Sequence, residues 1–232
     1  VVAGSIPAPA TKKNRFTRFF LFMASSERIR HHARKECMRK TIFLIRHAEA
    51  TININPLNTE APDVLTGSGS DEARSTAKRC AELHIESLYT SKTPRAQLTA
   101  NIIGITVARE PVVIDFFKER KVHYTDAKTY TYLESFEELK SRLIMAKQFL
   151  ENLQNRHVAI VSHALFIRAL IAFIIFDNSF TEDLLEQFTR TTIVDNASLS
   201  EITYDSEQAK WRIVLLNDTS HLSKSPTSKR TD

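Results

Sequence analysis

Residues 41–47 are Thr-Ile-Phe-Leu-Ile-Arg-His, a β-branched and apolar run that ends in an arginine and a histidine. Such a run is typical of a buried strand in a parallel sheet. A second run of this kind, residues 158–162, ends directly before His163. Because ligands bind at the carboxyl ends of the strands in open α/β sheets, we expect Arg46, His47 and His163 at one such edge.

The segments between and after these two strands alternate between helical and strand patterns. A charged and aromatic loop without clear periodicity follows the third strand and extends to Tyr132. The predicted helices span about residues 69–84, 94–103, 136–153, 164–176 and 181–188, and the remaining strands span about 86–90, 112–116, 198–204 and 210–216. This order predicts an α/β fold with a mostly parallel mixed sheet and an antiparallel C-terminal hairpin.

Composition and charge narrow the class of protein. The 232 residues fit one domain of about 150–200 residues with tails. The net charge of +5 is uneven: residues 1–40 contain ten Lys or Arg and two Glu, whereas residues 41–232 contain 22 basic and 25 acidic side chains. The basic composition therefore does not predict a nucleic-acid partner. The two cysteines, Cys37 and Cys80, suggest neither a disulfide framework nor a four-ligand zinc site and favour a reducing compartment.

Three regions are predicted along the chain. Residues 1–37 form a basic leader, either disordered or a targeting segment, because their composition is compatible with a mitochondrial transit peptide. Residues 38–217 form the folded domain, and the polar residues 218–232 form a tail that we expect to be disordered. A histidine and an arginine interrupt the apolar run over residues 158–176, so no transmembrane segment is predicted. We expect a cytoplasmic location, or a mitochondrial one if the leader is a transit peptide.

The residue types at the strand ends suit the transfer of a phosphoryl group. Planar guanidinium groups hold phosphoryl oxygens at two points, and Arg46 and Arg95 are the candidates. A neutral imidazole with one nitrogen tied down can attack phosphorus, and His47 suits that role. A protonated His163 would donate to a phosphoryl oxygen, and Glu119 would protonate the leaving oxygen. Taken singly, each residue also has a structural explanation, such as a capping pair or a solvated charge run.

Four motifs in order resemble those of the histidine phosphatase superfamily, which includes the cofactor-dependent phosphoglycerate mutases. They are Arg46-His47-Ala48-Glu49 with Asn53; Asp63 with Leu65-Thr66, Gly69 and Glu72-Ala73; Ser91 with Arg95-Ala96 and Thr99-Ala100; and Val161-Ser162-His163-Ala164. The resemblance spans about residues 38–216. It implies a three-layer α/β/α sandwich in which residues 38–217 are the catalytic domain.

The resemblance also assigns roles to residues of this chain. It implies that His47 becomes phosphorylated and that Glu119 takes the place of the family's acid. The implied catalytic residues are His47, Arg46, Arg95, His163 and Glu119. The implied phosphate- or substrate-binding residues are Asn53, Thr66, Arg46 and Arg95. The implied chemistry needs no metal and no cofactor.

Two departures from the family pattern lie near the predicted phosphate. Ala48 and Ala164 stand where the family has glycine, and a Cβ there opposes a positive φ and narrows the approach. We expect activity to survive, because neither change removes a charged or nucleophilic group. The five residues from Glu119 to His123 lack the glycine that follows the acid in the family.

The sequence favours a metal-independent phosphomonoester hydrolase that works through a phosphohistidine, because the chain lacks the Tyr-Gly pair and the longer insertion of the family's mutases. Three alternatives stay open: a mutase, a protein phosphatase acting on phosphohistidine or phosphoserine, and a catalytically silent interaction module. The expected partner is a small phosphorylated metabolite or a phosphoprotein, with neither nucleic acid nor a membrane span. Lys118, Arg120, Lys121 and Lys128 either hold a second anionic group of the substrate or are surface charge.

Overall fold

The computed structural model describes residues 39–55, 57, 62–125 and 130–222, and its centre is a six-stranded sheet. The strands are β1 (Arg39–Arg46), β2 (Ser87–Thr90), β3 (Val112–Val113), β4 (Val122–Tyr124), β5 (Tyr130–Tyr132), β6 (His157–Ser162), β7 (Leu199–Asp205) and β8 (Lys210–Asp218). The spatial order is β3-β2-β6-β1-β7-β8, and β4 pairs only with β5. The pairs among β1, β2, β3 and β6 are parallel, whereas β7 is antiparallel to β1 and β8 is antiparallel to β7. The predicted mixed sheet with its antiparallel C-terminal element is confirmed.

The α-helices of the described residues are α1 (Thr51–Ile54), α2 (Gly67–Glu82), α3 (Pro94–Val107), α4 (Phe136–Asn152), α5 (Ala164–Phe176) and α6 (Glu182–Thr191). Three of the helices described, α2, α4 and α6, begin at a residue whose side chain caps the helix. The Thr66 hydroxyl accepts a hydrogen bond from the Gly69 N–H at 2.9 Å, so α2 begins two residues earlier than predicted. Ser135 and Glu138 form a reciprocal capping box at the start of α4.

The alternating side chains of β1 join the sheet to both helical layers. Ile42 and Leu44 pack in a core cluster with buried side chains of α4, α5 and α6. Phe43 and Ile45 pack on the other face, with buried side chains of α2 and α3. Because successive side chains of a strand point to opposite faces, a strand covered on both faces must be apolar throughout. The layers are therefore helices, sheet and helices, as predicted.

The segment from β3 to β5 differs most from the prediction. The strand predicted over residues 112–116 contains only Val112–Val113, because the chain turns into a 3₁₀ helix at Asp115–Phe117. The phenyl ring of Phe117 is fully buried in the core. The following loop, predicted to have no regular structure, contains the antiparallel pair of β4 and β5.

The chain ends were predicted to be tails. The leader, residues 1–37, lies outside the described residues, as does the part of the C-terminal tail after Leu222. The packed part extends past the predicted boundary at residue 217, because β8 ends at Asp218 and the His221 ring lies 3.1 Å from both the Thr76 hydroxyl and the Ala197 carbonyl. Of the helices described, none is long and apolar enough to cross a membrane.

Gly69, in the first turn of α2, lies directly against the backbone that follows His47. A Cβ at this position would be 1.9 Å from the Glu49 carbonyl oxygen and 2.8 Å from the Glu49 carbonyl carbon. A Cβ at Gly67, two residues earlier in the same helix, would meet nothing within 4 Å. Close backbone packing therefore requires glycine at 69 and not at 67.

We predict that Gly69→Ala lowers the free energy of unfolding by about 1–3 kcal/mol, because either α2 or residues 48–50 must move to admit the methyl group. Gly67→Ala is the matched control and should cause no loss, because alanine is the better helix former. Urea unfolding of both variants measures the difference. Equal stability of the two variants would contradict the prediction.

Candidate active site

Two histidines lie side by side at one edge of the sheet. The parallel pairing of β1 with β6 places Arg46 opposite Ser162, so the residues that follow, His47 and His163, emerge together. Their ring centroids are 5.1 Å apart. The structure therefore brings together these two predicted site residues from strands that are more than a hundred residues apart in the sequence.

The imidazole of His47 is held at both nitrogens. The Arg95 Nε–H donates to His47 Nε2 at 3.1 Å, so this nitrogen carries no proton. The proton is then on Nδ1, which donates to the Ala48 carbonyl oxygen at 2.9 Å. Burial, followed by the positive charge of Arg95, lowers the pKa of His47 well below 6.5. The ring is neutral and presents the Nε2 lone pair on the Arg95 side.

Arg95, the second residue of α3, contacts both imidazoles. Its Nη2 lies 3.3 Å from His163 Nδ1, and its Nη1 donates to Asp63 Oδ2 at 2.8 Å. The other oxygen of Asp63 is buried without a hydrogen-bond partner. Asp63 stood in the second motif, but sequence reasoning gave it no role, because only the fold places it beside Arg95.

The ring of His163 is fully buried and bonded to hydroxyl groups. Its Nε2 lies 2.8 Å from Ser91 Oγ and 3.2 Å from Thr93 Oγ1. Burial, followed by the charges of Arg95 and Arg46, lowers the pKa of His163 well below 6.5. The ring is therefore neutral here, and a protonated His163 that donates to a phosphoryl oxygen stays a prediction. The contacts of Ser91 and Thr93 with His163 were not predicted from the sequence.

Arg46 extends from the end of β1 into the same buried region. Its Nη1 donates to the Val194 carbonyl oxygen at 2.7 Å, and its Nε is buried without a hydrogen-bond partner. Burial lowers the pKa of Arg46 to about 10, partly offset by the negative charge of Glu119. Buried polar groups are seldom left unpaired, so this N–H is a donor suited to an oxyanion.

The carboxylate of Glu119 lies at the N-terminus of α5, the helix that begins directly after His163. Its Oε1 accepts from the Phe166 N–H at 3.0 Å and from the Arg120 N–H at 2.9 Å, and its Oε2 lies 3.3 Å from the Leu165 nitrogen. The carboxylate is thus held where the helix dipole is positive. It has no direct hydrogen bond with His47 or His163 among the described residues.

Asn53 is connected to His47 through a third residue. Asn53 Oδ1 accepts from the Ala50 N–H at 2.9 Å and lies 3.3 Å from Asn196 Nδ2, which also donates to the His47 carbonyl oxygen at 3.2 Å. Asn196 was missed, because nothing in the sequence connects it with residues 143 positions earlier. Asn53 therefore supports the backbone of His47.

The hydroxyl of Thr66, for which the resemblance implies a binding role, makes two hydrogen bonds within the chain. It donates to Glu49 Oε1 at 2.6 Å and accepts from the Gly69 N–H. In the described part of the chain it has no hydrogen bond with Arg46, His47, Arg95 or His163. Thr66 therefore caps α2, and its role in binding stays a prediction.

The two alanines at glycine positions adopt ordinary backbone conformations. Neither Ala48 nor Ala164 has a positive φ, so the expected strain is absent at both. A left-handed alanine occurs instead at Ala197, with φ of 55°, and its N–H donates to the His47 carbonyl oxygen at 3.3 Å. The backbone constraint therefore lies on the segment that supports the histidine.

The basic loop is less available than predicted. The Arg120 guanidinium is buried, with its carbon 3.5 Å from the centroid of the Tyr132 ring and its Nη2 3.3 Å from Glu182 Oε1. Lys118 Nζ lies 3.6 Å from Asp115 Oδ2. Arg120 is therefore not plain surface charge, and a second-anion role for the loop stays a prediction. Lys128 lies outside the described residues.

The assembled site combines two neutral imidazoles, two guanidinium groups and a carboxylate on a neighbouring loop. Such donors bind an anion of tetrahedral geometry, and an imidazole lone pair among them can attack it. Within the ranges described, no group of three or more His, Cys, Asp or Glu side chains is arranged to hold a metal ion.

The chain is similar in sequence to one known protein and similar in fold to others. The uncharacterized phosphatase PhoE of Bacillus subtilis is 32% identical over 199 residues, which cover 78% of this chain and 96% of that protein. A phosphoglycerate mutase from Bacillus anthracis has the same fold, with a TM-score of 0.60 and 16% identity over 80% of this chain and 96% of its own. A mycobacterial glucosyl-3-phosphoglycerate phosphatase in complex with VO3 gives a TM-score of 0.58 and 16% identity over 78% of this chain and 100% of its own.

The family model for the histidine phosphatase superfamily, branch 1, matches residues 42–133 and 114–219. These matches cover most of the chain and include every residue of the site described above. The chain therefore belongs to the histidine phosphatase superfamily.

Proposed function

We propose that the protein hydrolyses phosphomonoesters through a phosphohistidine intermediate on His47. The observation that supports this most directly is the state of His47, a buried neutral imidazole whose Nδ1 is bonded to the Ala48 carbonyl. This bond fixes the tautomer and leaves Nε2 as the nucleophilic nitrogen. Arg95 donates to Nε2 in the free protein and would turn to the phosphoryl oxygens when the substrate binds.

In the first step, His47 Nε2 forms a bond with phosphorus while the bond between phosphorus and the leaving oxygen breaks. Arg46, with its unpaired Nε–H, and Arg95 stabilise the charge on the phosphoryl oxygens. Glu119 gives its proton to the leaving oxygen. In the second step, Glu119 takes a proton from water, the water oxygen attacks phosphorus, and His47 is released as neutral imidazole.

Hydrolysis is favoured over phosphoryl transfer between substrates for two reasons. Arg120, which follows Glu119 in the segment that resembles the mutases, is bonded to Glu182 and to the Glu134 carbonyl rather than facing a substrate. The relative that matches over 96% of its length is named a phosphatase. We propose a small phosphorylated metabolite as the substrate, since one solved protein of this fold is a glucosyl-3-phosphoglycerate phosphatase.

We predict that His47→Asn abolishes the hydrolysis of 4-nitrophenyl phosphate, with a loss of about 10³-fold or more, because the nucleophile is removed. The same variant should form no acid-labile phosphoenzyme. His84→Asn is the matched control, because His84 is exposed and its φ of 53° suits asparagine. Full activity in His47→Asn would exclude the proposed mechanism.

We predict that Glu119→Gln slows the hydrolysis of phenyl phosphate about 10²-fold more than that of 4-nitrophenyl phosphate, because a poor leaving group depends more on the acid. Steady-state kinetics with both substrates measure the ratio. Glu137→Gln, an exposed change on α4, is the control and should leave both rates unchanged. If both substrates slow equally in Glu119→Gln, another residue is the acid.

We predict that His47 stays neutral at pH 6.5, where an unperturbed imidazole is half protonated, because burial and Arg95 lower its pKa. Protonation should begin only as the pH falls well below that value. NMR titration of the ring resonances, assigned with His47→Asn and His163→Asn, measures both imidazoles. A midpoint at or above the ordinary value for either ring would show that the described site is not the one in solution.

A further inference from the structure

The loop that carries Glu119 is fastened to α4 by one buried arginine. Arg142 Nη1 donates to the Phe116 carbonyl at 3.1 Å and to the Lys118 carbonyl at 2.6 Å. Its Nε and Nη2 donate to the two oxygens of Glu134 at 2.8 Å and 2.5 Å. Arg142 therefore joins the chain just before Glu119 to the chain just after β5.

The same guanidinium contacts the helix that binds the Glu119 carboxylate. Its central carbon lies 5.0 Å from the centroid of the Phe166 ring. The Phe166 N–H is the donor that reaches Glu119 Oε1 at 3.0 Å. Arg142 thus binds the backbone that precedes Glu119, the acceptor of this hydrogen bond, and packs against Phe166, the donor.

The pair of Arg142 and Glu134 is buried, with 5% and 9% of the two side chains exposed. Two parallel bonds between a guanidinium and a carboxylate define one orientation of both groups. Arg120 adds a contact on the outer side, because its Nη2 lies 3.3 Å from the Glu134 carbonyl oxygen. The loop therefore has little freedom to move Glu119 relative to α5 while these bonds persist.

We propose that Arg142, together with Glu134, is a positioning residue that holds the Glu119 carboxyl in place for proton transfer to the leaving oxygen. The proposal rests on the proposed function, which makes Glu119 the acid. Arg142 itself has no contact with His47, Arg46 or Arg95 in the described residues, so it acts through the loop. Its substitution should therefore affect the proton-transfer step and spare the binding of the phosphoryl group.

Arg142→Lys tests this step, because lysine keeps the charge and loses the fork of bonds. We expect kcat for phenyl phosphate to fall about tenfold more than kcat for 4-nitrophenyl phosphate, as for a partial loss of the acid. The KM of both substrates and the inhibition constant of vanadate should stay unchanged. Glu134→Gln, which leaves the Arg142 bonds to the two loop carbonyls, should show a smaller effect of the same kind.

Leu143→Ala is the matched control for lost stability. Leu143 is the next residue of α4 and is fully buried in the core, and its apolar side chain makes no hydrogen bond with the loop. The variant should lower the melting temperature without changing the ratio of the two kcat values. An equal fall of both kcat values in Arg142→Lys, or no fall in either, would overturn the proposal.

A second measurement does not depend on activity. In Arg142→Lys, the amide hydrogens of Leu165 and Phe166, which donate to Glu119, should exchange faster relative to that of Ile167, which donates to the His163 carbonyl. If the wild-type protein hydrolyses neither compound, the proposed function fails, and this exchange ratio still decides whether Arg142 holds Glu119. An unchanged ratio would overturn the positioning role.

Discussion

The guanidinium of Arg95 is the group on which the arrangement of the site depends. It donates to His47 through Nε and to Asp63 through Nη1, and its Nη2 lies beside His163 Nδ1. Because a guanidinium only donates, the ring nitrogen that faces it in each histidine must carry a lone pair. A single cation therefore sets the tautomer of both imidazoles. It also brings together residues from α3, from the ends of β1 and β6, and from the segment before α2.

Burial gives these contacts their chemical effect. Removing the site from water opposes the charged form of each imidazole, and the neighbouring arginines oppose it further. The result is a His47 imidazole that is unprotonated at neutral pH beside two guanidinium cations. Electrostatic stabilisation of a phosphoryl group is stronger in such surroundings than in water, because the donors are already oriented and few water dipoles compete. Asp63 forms an ion pair with the Arg95 guanidinium.

The sequence predicted those parts whose signals are local. β1 and β6 were predictable because strands covered on both faces are apolar throughout, and the histidines that follow them were therefore placed correctly. The pair of β4 and β5 was not, because strands of three residues contain too few positions to show a period. The cap that Thr66 forms on α2 was not predicted, because its place in a motif does not distinguish a ligand contact from a helix cap. The roles of Asn196 and Arg142 arise only from spatial contacts, which no local pattern encodes.

Because β1 packs on both of its faces, it affects how the protein unfolds. One set of its side chains belongs to the core beneath α4, α5 and α6, and the other set belongs to the core beneath α2 and α3. If either hydrophobic core unfolded while β1 stayed in the sheet, one face of this central strand would be exposed to water. The two halves should thus melt as a cooperative unit, and the His47 imidazole follows the strand that is released last.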